Sequence, residues 1–184
     1  MQITGAPASV NSTDLFNISI EFIEEVQDFV AADLAVTNAT VTNFSTTDRR
    51  NNQTYTADIT PAVTGNLTLN ILSSVATDLA GNPNSTAPEV TVIFDNTPPS
   101  VTLSSLAANP TNIAFSLVIE FSEDVTGFSV DDLEVTNGSP AGFTVVNAAE
   151  YSATITPVAD GEVTIDVAAD VAIDIASNGN TTAI

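Results

Sequence analysis

The chain has 184 residues, 43% of them hydrophobic, and sets 23 acidic side chains against two basic ones for a formal net charge of −21. That length holds one large domain or two small ones, and the charge excludes nucleic acid and anionic lipid as partners because phosphate is repelled on approach. With no cysteine, histidine or lysine, disulfides, thiolate or imidazole metal sites and Lys–Asn isopeptide crosslinks are excluded as well.

No run reaches the ~18 apolar residues of a membrane helix, so membrane insertion is not expected. Met1-Gln2-Ile3 opens directly on strand-like sequence, with no charged n-region followed by an apolar core. The expectation is a piece of a longer chain, with any signal peptide elsewhere.

From Asp14 to Phe22, the apolar residues Phe16, Ile18, Ile20 and Phe22 alternate with Asn17, Ser19 and Glu21. A period of two predicts a half-buried strand. Glu24-Glu25-Val26 and Phe29 lead through a loop into a short strand over 33–38. The Thr/Asn-rich stretch 39–54 reads as a strand with a long exposed loop, because Asn, Asp and Ser favour local turns. Its Arg49-Arg50 pair, the only basic residues, reads as a solvated loop tip. Residues 55–61 alternate and stop at Pro61; Gly65-Asn66 turns into a further strand, 67–71. The segment 78–84 is dense in turn formers, and Val90 to Phe94 closes the unit as a last strand. Asp95-Asn96-Thr97-Pro98-Pro99 then forms a linker whose prolines restrict the backbone.

After the linker the pattern returns. Residues 20–38 align without gaps on 119–137, with 11 of 19 positions identical. Past a shorter loop, Tyr55 falls on Tyr151, Pro61 on Pro157, Asp78 on Asp174 and Asn82 on Asn178. The one length change lies in an exposed loop, where it costs little. A repeat of this size is a whole domain. Short alternating strands with turns between them predict an all-β chain of two tandem immunoglobulin-like antiparallel β-sandwich domains, 1–96 and 97–184. Without the Cys–Trp–Cys core, the interior must be aliphatic and phenylalanine-based. After Asn178 no counterpart of the 90–94 strand follows, so the second domain is expected to lack its last strand. Truncation explains this more simply, and strand exchange with another chain is the other route. Ser177 and Gly179 stand where the first copy has Gly81 and Pro83, which suggests a different bend in that loop.

Residues 121–128 (Phe-Ser-Glu-Asp-Val-Thr-Gly-Phe), 132–138, 76–83 (Ala-Thr-Asp-Leu-Ala-Gly-Asn-Pro) and the 95–99 junction resemble the bacterial Ig-like repeats of large surface and biofilm adhesins. The resemblance covers almost the whole chain, in two copies. It implies extracellular domains acting as a stalk among neighbouring repeats of the same longer chain, often stiffened by calcium between domains.

Catalysis is hard to place, since His, Cys and Lys are missing as general bases or nucleophiles. Calcium is a hard cation that takes six to eight oxygen ligands, and the chain has the oxygens. In an Ig-like sandwich the loop after the first long inner strand and the loop before the last strand share a pole. For the second domain this gathers Glu123, Asp124, Asp174 and Asn178 beneath Asp95 and Asn96; for the first, Glu24, Glu25, Asp78 and Asn82. Converging acids repel one another unless a cation is present. The same residue types also serve as plain turn formers, and Asp33 and Asp132 read as local turn caps. Asn-x-Ser/Thr triplets such as 11–13 and 84–86 follow from abundant Asn and Thr. Tyr55 and Tyr151 occupy matching strand positions and read as packing residues. A carbohydrate-binding accessory module, which usually shows an aromatic platform, is the rival reading, and the lack of tryptophan counts against it.

Overall fold

The computed structural model describes residues 1–47, 52–109 and 111–183, and the Arg49-Arg50 loop tip lies outside them. The chain divides into two compact units, Met1–Asn96 and Thr97–Ile184.

In the first unit the period-two segments become the long strands. β1 (Gln2–Thr4), β2 (Ser9–Val10) and β3 (Phe16–Glu21) are followed by β4 (Val26–Gln27), β5 (Leu34–Thr37) and β6 (Ala39–Thr46). β7 (Thr54–Pro61), β8 (Gly65–Ile71), β9 (Thr77–Asp78) and β10 (Val90–Phe94) complete it. One sheet runs β1-β3-β7-β6 and the other β2-β10-β8-β5. The chain changes sheets between β1 and β2 at Gly5, whose φ of +84° and close approach to the Asn17 carbonyl, 2.9 Å from an added Cβ, leave no room for a side chain. This is the antiparallel sandwich expected, with β2 running parallel to β10.

Its core forms where the two inner faces meet. Ile18, Ile20, Ala57, Ile59, Leu67, Leu69, Ile71 and Val92 are wholly buried. At one end Phe22, Phe29, Phe44 and Tyr55 form an aromatic cluster, with Phe29 edge-on to both Phe22 and Tyr55 at 5.0 Å between ring centres. Edge-to-face contacts of this kind contribute about 0.5–1.5 kcal/mol each beyond area burial. The cluster stands in for the absent disulfide and tryptophan.

The second unit repeats the plan: β11 (Val101–Ser104), β12 (Phe115–Phe121), β13 (Leu133–Thr136), β14 (Gly138–Val145), β15 (Glu150–Pro157) and β16 (Thr164–Val167). Its first sheet runs β11-β12-β15-β14, and Phe121, Phe128, Phe143 and Tyr151 repeat the aromatic cluster. The second sheet has two strands, β13 and β16. Among the described residues no strand pairs with the other edge of β16. A single 3-10 turn precedes β5 and β13 in the respective units, and in each the acid caps it as expected. Asp33 accepts the Val30 N–H at 2.8 Å, and Asp132 accepts the Ser129 N–H at 2.7 Å. Among the described residues no helix is long and apolar enough to cross a membrane.

Candidate metal centre

Two loops meet at one end of each unit because short strands bind them together. In the first unit β4 and β9 pair antiparallel, setting Val26 against Asp78. In the second, Thr126 and Ile173 exchange backbone hydrogen bonds of 2.8 and 3.0 Å. The loop after the long inner strand is thereby held beside the turn-rich loop, at the shared pole expected of an Ig-like sandwich.

The turn-rich loop closes on its own aspartate. Asp78 Oδ1 accepts the N–H groups of Ala80 and Asn82, both at 2.8 Å, and Oδ2 accepts Asn82 Nδ2 at 2.7 Å. The Asn82 side-chain amide, with the loop N–H groups behind it, holds the Asp78 carboxyl below the usual carboxylate range. Asp174 accepts the matching hydrogen bonds, from the Ala176 N–H at 2.7 Å and from Asn178 at 2.9 Å through its N–H and 2.7 Å through Nδ2. The expected difference in bend between the copies is not seen. Gly81 has φ +86°, and Ser177 adopts the same left-handed backbone at 71°. The loop's hydrogen bonds are strong enough to impose that conformation on a serine, at a cost of roughly 1–2 kcal/mol.

Around these loops the acids gather unevenly. In the first unit Glu24, Glu25 and Asp78 line one shallow concavity of about 240 Å³. Glu24, Asp78 and Asn82 also line an adjoining cavity of about 240 Å³, floored by Phe22 and Val26. In the second unit Glu123 and Asp174 bring carboxylate oxygens within 4.8 Å of each other, with Asp174 only 4% exposed. Asp124 does not join that pair; its charge acts on Tyr151, whose phenol is pushed up by burial first and by Asp124 second. Asp95 and Asn96 belong to the first unit, where Asn96 Oδ1 accepts the Thr64 hydroxyl at 2.7 Å.

The donors are all oxygens, which suits a hard cation and no softer metal. Three of the Asp174 carboxylate's acceptor positions are already used by the loop, and Asn178 turns its NH₂ toward the acid. Glu123 and Asp174 alone therefore fall short of a calcium coordination shell. Both tyrosines lie inside their aromatic clusters, 6% and 4% exposed, so neither offers a stacking platform for sugar.

One pair of residues was read from sequence only as part of a glycosylation triplet or not at all. Asn84 Oδ1 accepts the Val75 and Ala76 N–H groups, while its Nδ2 donates to the Leu72 and Ser85 carbonyls. Asn180 makes the same four bonds to Val171, Ala172, Ala168 and Thr181. The signal available was their equivalence in the repeat: Asn84 and Asn180 stand two residues after Asn82 and Asn178.

Comparison with protein families places the chain: a bacterial Ig-like domain profile matches residues 1–93 and again 95–184. The chain belongs to that family, as two tandem domains. Among solved structures it is similar to invasin, described as a bacterial integrin-binding protein, at 20% identity and a TM-score of 0.45, over 90% of this chain and 36% of that one. It is also similar to InvD of Yersinia pseudotuberculosis, at 14% identity and 0.40, over 99% of this chain and 55% of that one. The adhesin InvE of the same organism matches at 15% identity and 0.30, over 99% and 57%. The chain thus spans between about a third and somewhat over half of these proteins. No curated protein matches it.

Proposed function

We propose that the chain is a non-catalytic spacer segment of an extracellular bacterial surface adhesin, one stretch of a longer array of Ig-like repeats. The observation that carries this reading is the family match in two tandem copies, each with its own aromatic core. A spacer needs domains that hold their shape, and nothing in these loops is arranged as nucleophile and base.

Calcium at the acidic pole is the second element of the proposal. Glu123 and Asp174 supply the first oxygens in the second unit, and Asp95 supplies the next, with Asp124, Asn178 and Asn96 as further oxygen donors. Chain reach permits this. Ser100 donates its N–H to Ser122 Oγ at 3.0 Å, next to Glu123, and five extended residues, as from Asp95 to Ser100, span at most about 17 Å. In the first unit Glu24, Glu25, Asp78 and Asn82 offer an equivalent set. Bound calcium would neutralise carboxylates that otherwise repel. Chelator-treated protein is expected to melt at a lower temperature than calcium-loaded protein and to show a broader distribution of dimensions in small-angle scattering. An unchanged melt and an unchanged scattering profile would remove calcium from the proposal while leaving the spacer reading in place. A glycan array tests the latter, since a pure spacer binds no sugar on it.

A further inference from the structure

The sequence holds two Asn-Gly pairs, Asn137-Gly138 and Asn178-Gly179, both in the second unit. Such a pair is open to an internal reaction, because glycine leaves the nitrogen that follows the asparagine without steric cover. In the first copy the counterparts are Asn38-Ala39 and Asn82-Pro83, and Pro83 has no N–H to react.

What surrounds each glycine separates the two pairs. A Cβ added at Gly138 meets only the apolar side chains of Val135, Ile155 and Val163. Both ends of the Asn137 amide are bound across the turn, Nδ2 to the Ala159 and Glu162 carbonyls and Oδ1 by the Ala159 N–H. Gly179 instead lies beneath a carboxylate, with Asp170 Oδ1 so close over its α-carbon that no side chain fits there. The Gly179 nitrogen is one bond from that carbon. Gly179 also faces Ile173 in a bridge closed by the Asp174 N–H on the Asn178 carbonyl at 3.1 Å and the Asn180 N–H on the Ala172 carbonyl at 2.9 Å. Those bonds belong to the neighbours on either side, so the pairing does not consume the Gly179 N–H. The first unit has Ser74 and Pro83 at the places of Asp170 and Gly179, and so has neither the carboxylate nor the N–H.

We propose that Asn178 is a self-modification site, deamidated by the Gly179 nitrogen with Asp170 as the base. The Asn178 side chain leaves Asp174 and turns to the nitrogen that follows it. Asp170 takes the proton of the Gly179 N–H, that nitrogen bonds to Asn178 Cγ, and the Cγ–Nδ2 bond breaks as the proton passes to the departing nitrogen. Ammonia leaves and a cyclic imide remains. Water opens the imide at either carbonyl, which puts aspartate or isoaspartate at 178. A carboxylate base in this position contributes roughly 10²–10⁴-fold. The product changes the loop. The Nδ2 that donates to Asp174 Oδ2 at 2.7 Å is replaced by oxygen, and two carboxylates so placed repel unless a cation lies between them. Ageing thus turns a loop that satisfies itself into one that needs a cation. That consequence rests on the calcium reading; the modification itself does not.

The test warms the full 184-residue chain at neutral pH in chelator and follows every asparagine by peptide mass mapping, with isoaspartate counted by enzymatic methylation. Asn178 is expected to deamidate ahead of Asn137, and Asp170→Ser, which installs the first copy's residue, to slow it roughly tenfold or more. The double variant Asp170→Ser/Gly179→Pro restores both first-copy residues and is expected to keep its fold by circular dichroism while abolishing the reaction. In urea, where the loop is lost, the two Asn-Gly pairs are expected to react at comparable rates. Three results overturn the proposal: Asn137 reacting first in the folded chain, a rate at Asn178 that Asp170→Ser leaves unchanged, or no reaction at Asn178 over a period in which the urea-treated chain reacts. The product is read separately. Asn178→Asp is expected to melt below the parent in chelator and to gain more than the parent from calcium. Equal gains remove the cation consequence and leave the deamidation standing.

Discussion

A few polar side chains carry more of each unit than their number suggests. Asn180 is 1% exposed and satisfies two N–H groups and two carbonyls of the loop that wraps it. Asn180→Ala leaves the Val171 and Ala172 N–H groups buried without an acceptor, and the expected loss is about 2–4 kcal/mol. It is read as a lowered denaturant midpoint at unchanged slope. Asn84→Ala removes the same bonds from a more open loop and is expected to cost less. Asn38 and Asn137 do parallel work at the other turn, holding φ of 56° and 55° while bonding across to Val63 and Ala159. None of these roles was legible in the sequence, where Asn is common and its side-chain geometry has no period. By contrast Asp33 and Asp132 were read correctly as caps, because a local cap needs only a near neighbour.

At the level of elements, the long strands were legible because β3, β7 and β8 carry several cycles of alternation. β2, β4 and β9 are two residues each, too short to show a period, yet β4 and β9 bring the acidic loops together. The candidate site was therefore visible as residue types and as a shared pole, while the pairing that builds the pole was not. The repeat also misled once: Ser177 in place of Gly81 suggested a new bend, but the hydrogen bonds around Asp174 override the local preference of serine. Ser177→Gly relieves that left-handed strain and is expected to stabilise the second unit by about 0.5–1 kcal/mol. Gly81→Ser is expected to act in the opposite direction in the first. Paired thermal melts of the two variants check both signs.

For the molecule as a whole, the decisive quantity is the net charge of −21. Such a chain repels itself, and added ions screen that repulsion over a Debye length of about 10 Å at 0.1 M salt. Melting temperature is expected to rise with sodium chloride, most steeply below that concentration. Calcium is expected to exceed sodium at equal ionic strength if the acidic poles bind it specifically. Fold class was fully legible at this scale, since composition, alternation and duplication all point to the same architecture.

The placement of the tyrosines gives the molecule an optical property. The chain has no tryptophan and two tyrosines, and each tyrosine sits in the phenylalanine cluster of a different unit. Its ultraviolet emission therefore comes from one fluorophore per domain. Replacing Tyr55 or Tyr151 with phenylalanine keeps the ring in its cluster and darkens that domain alone. The unfolding of either half can then be followed within the intact chain, with no attached dye.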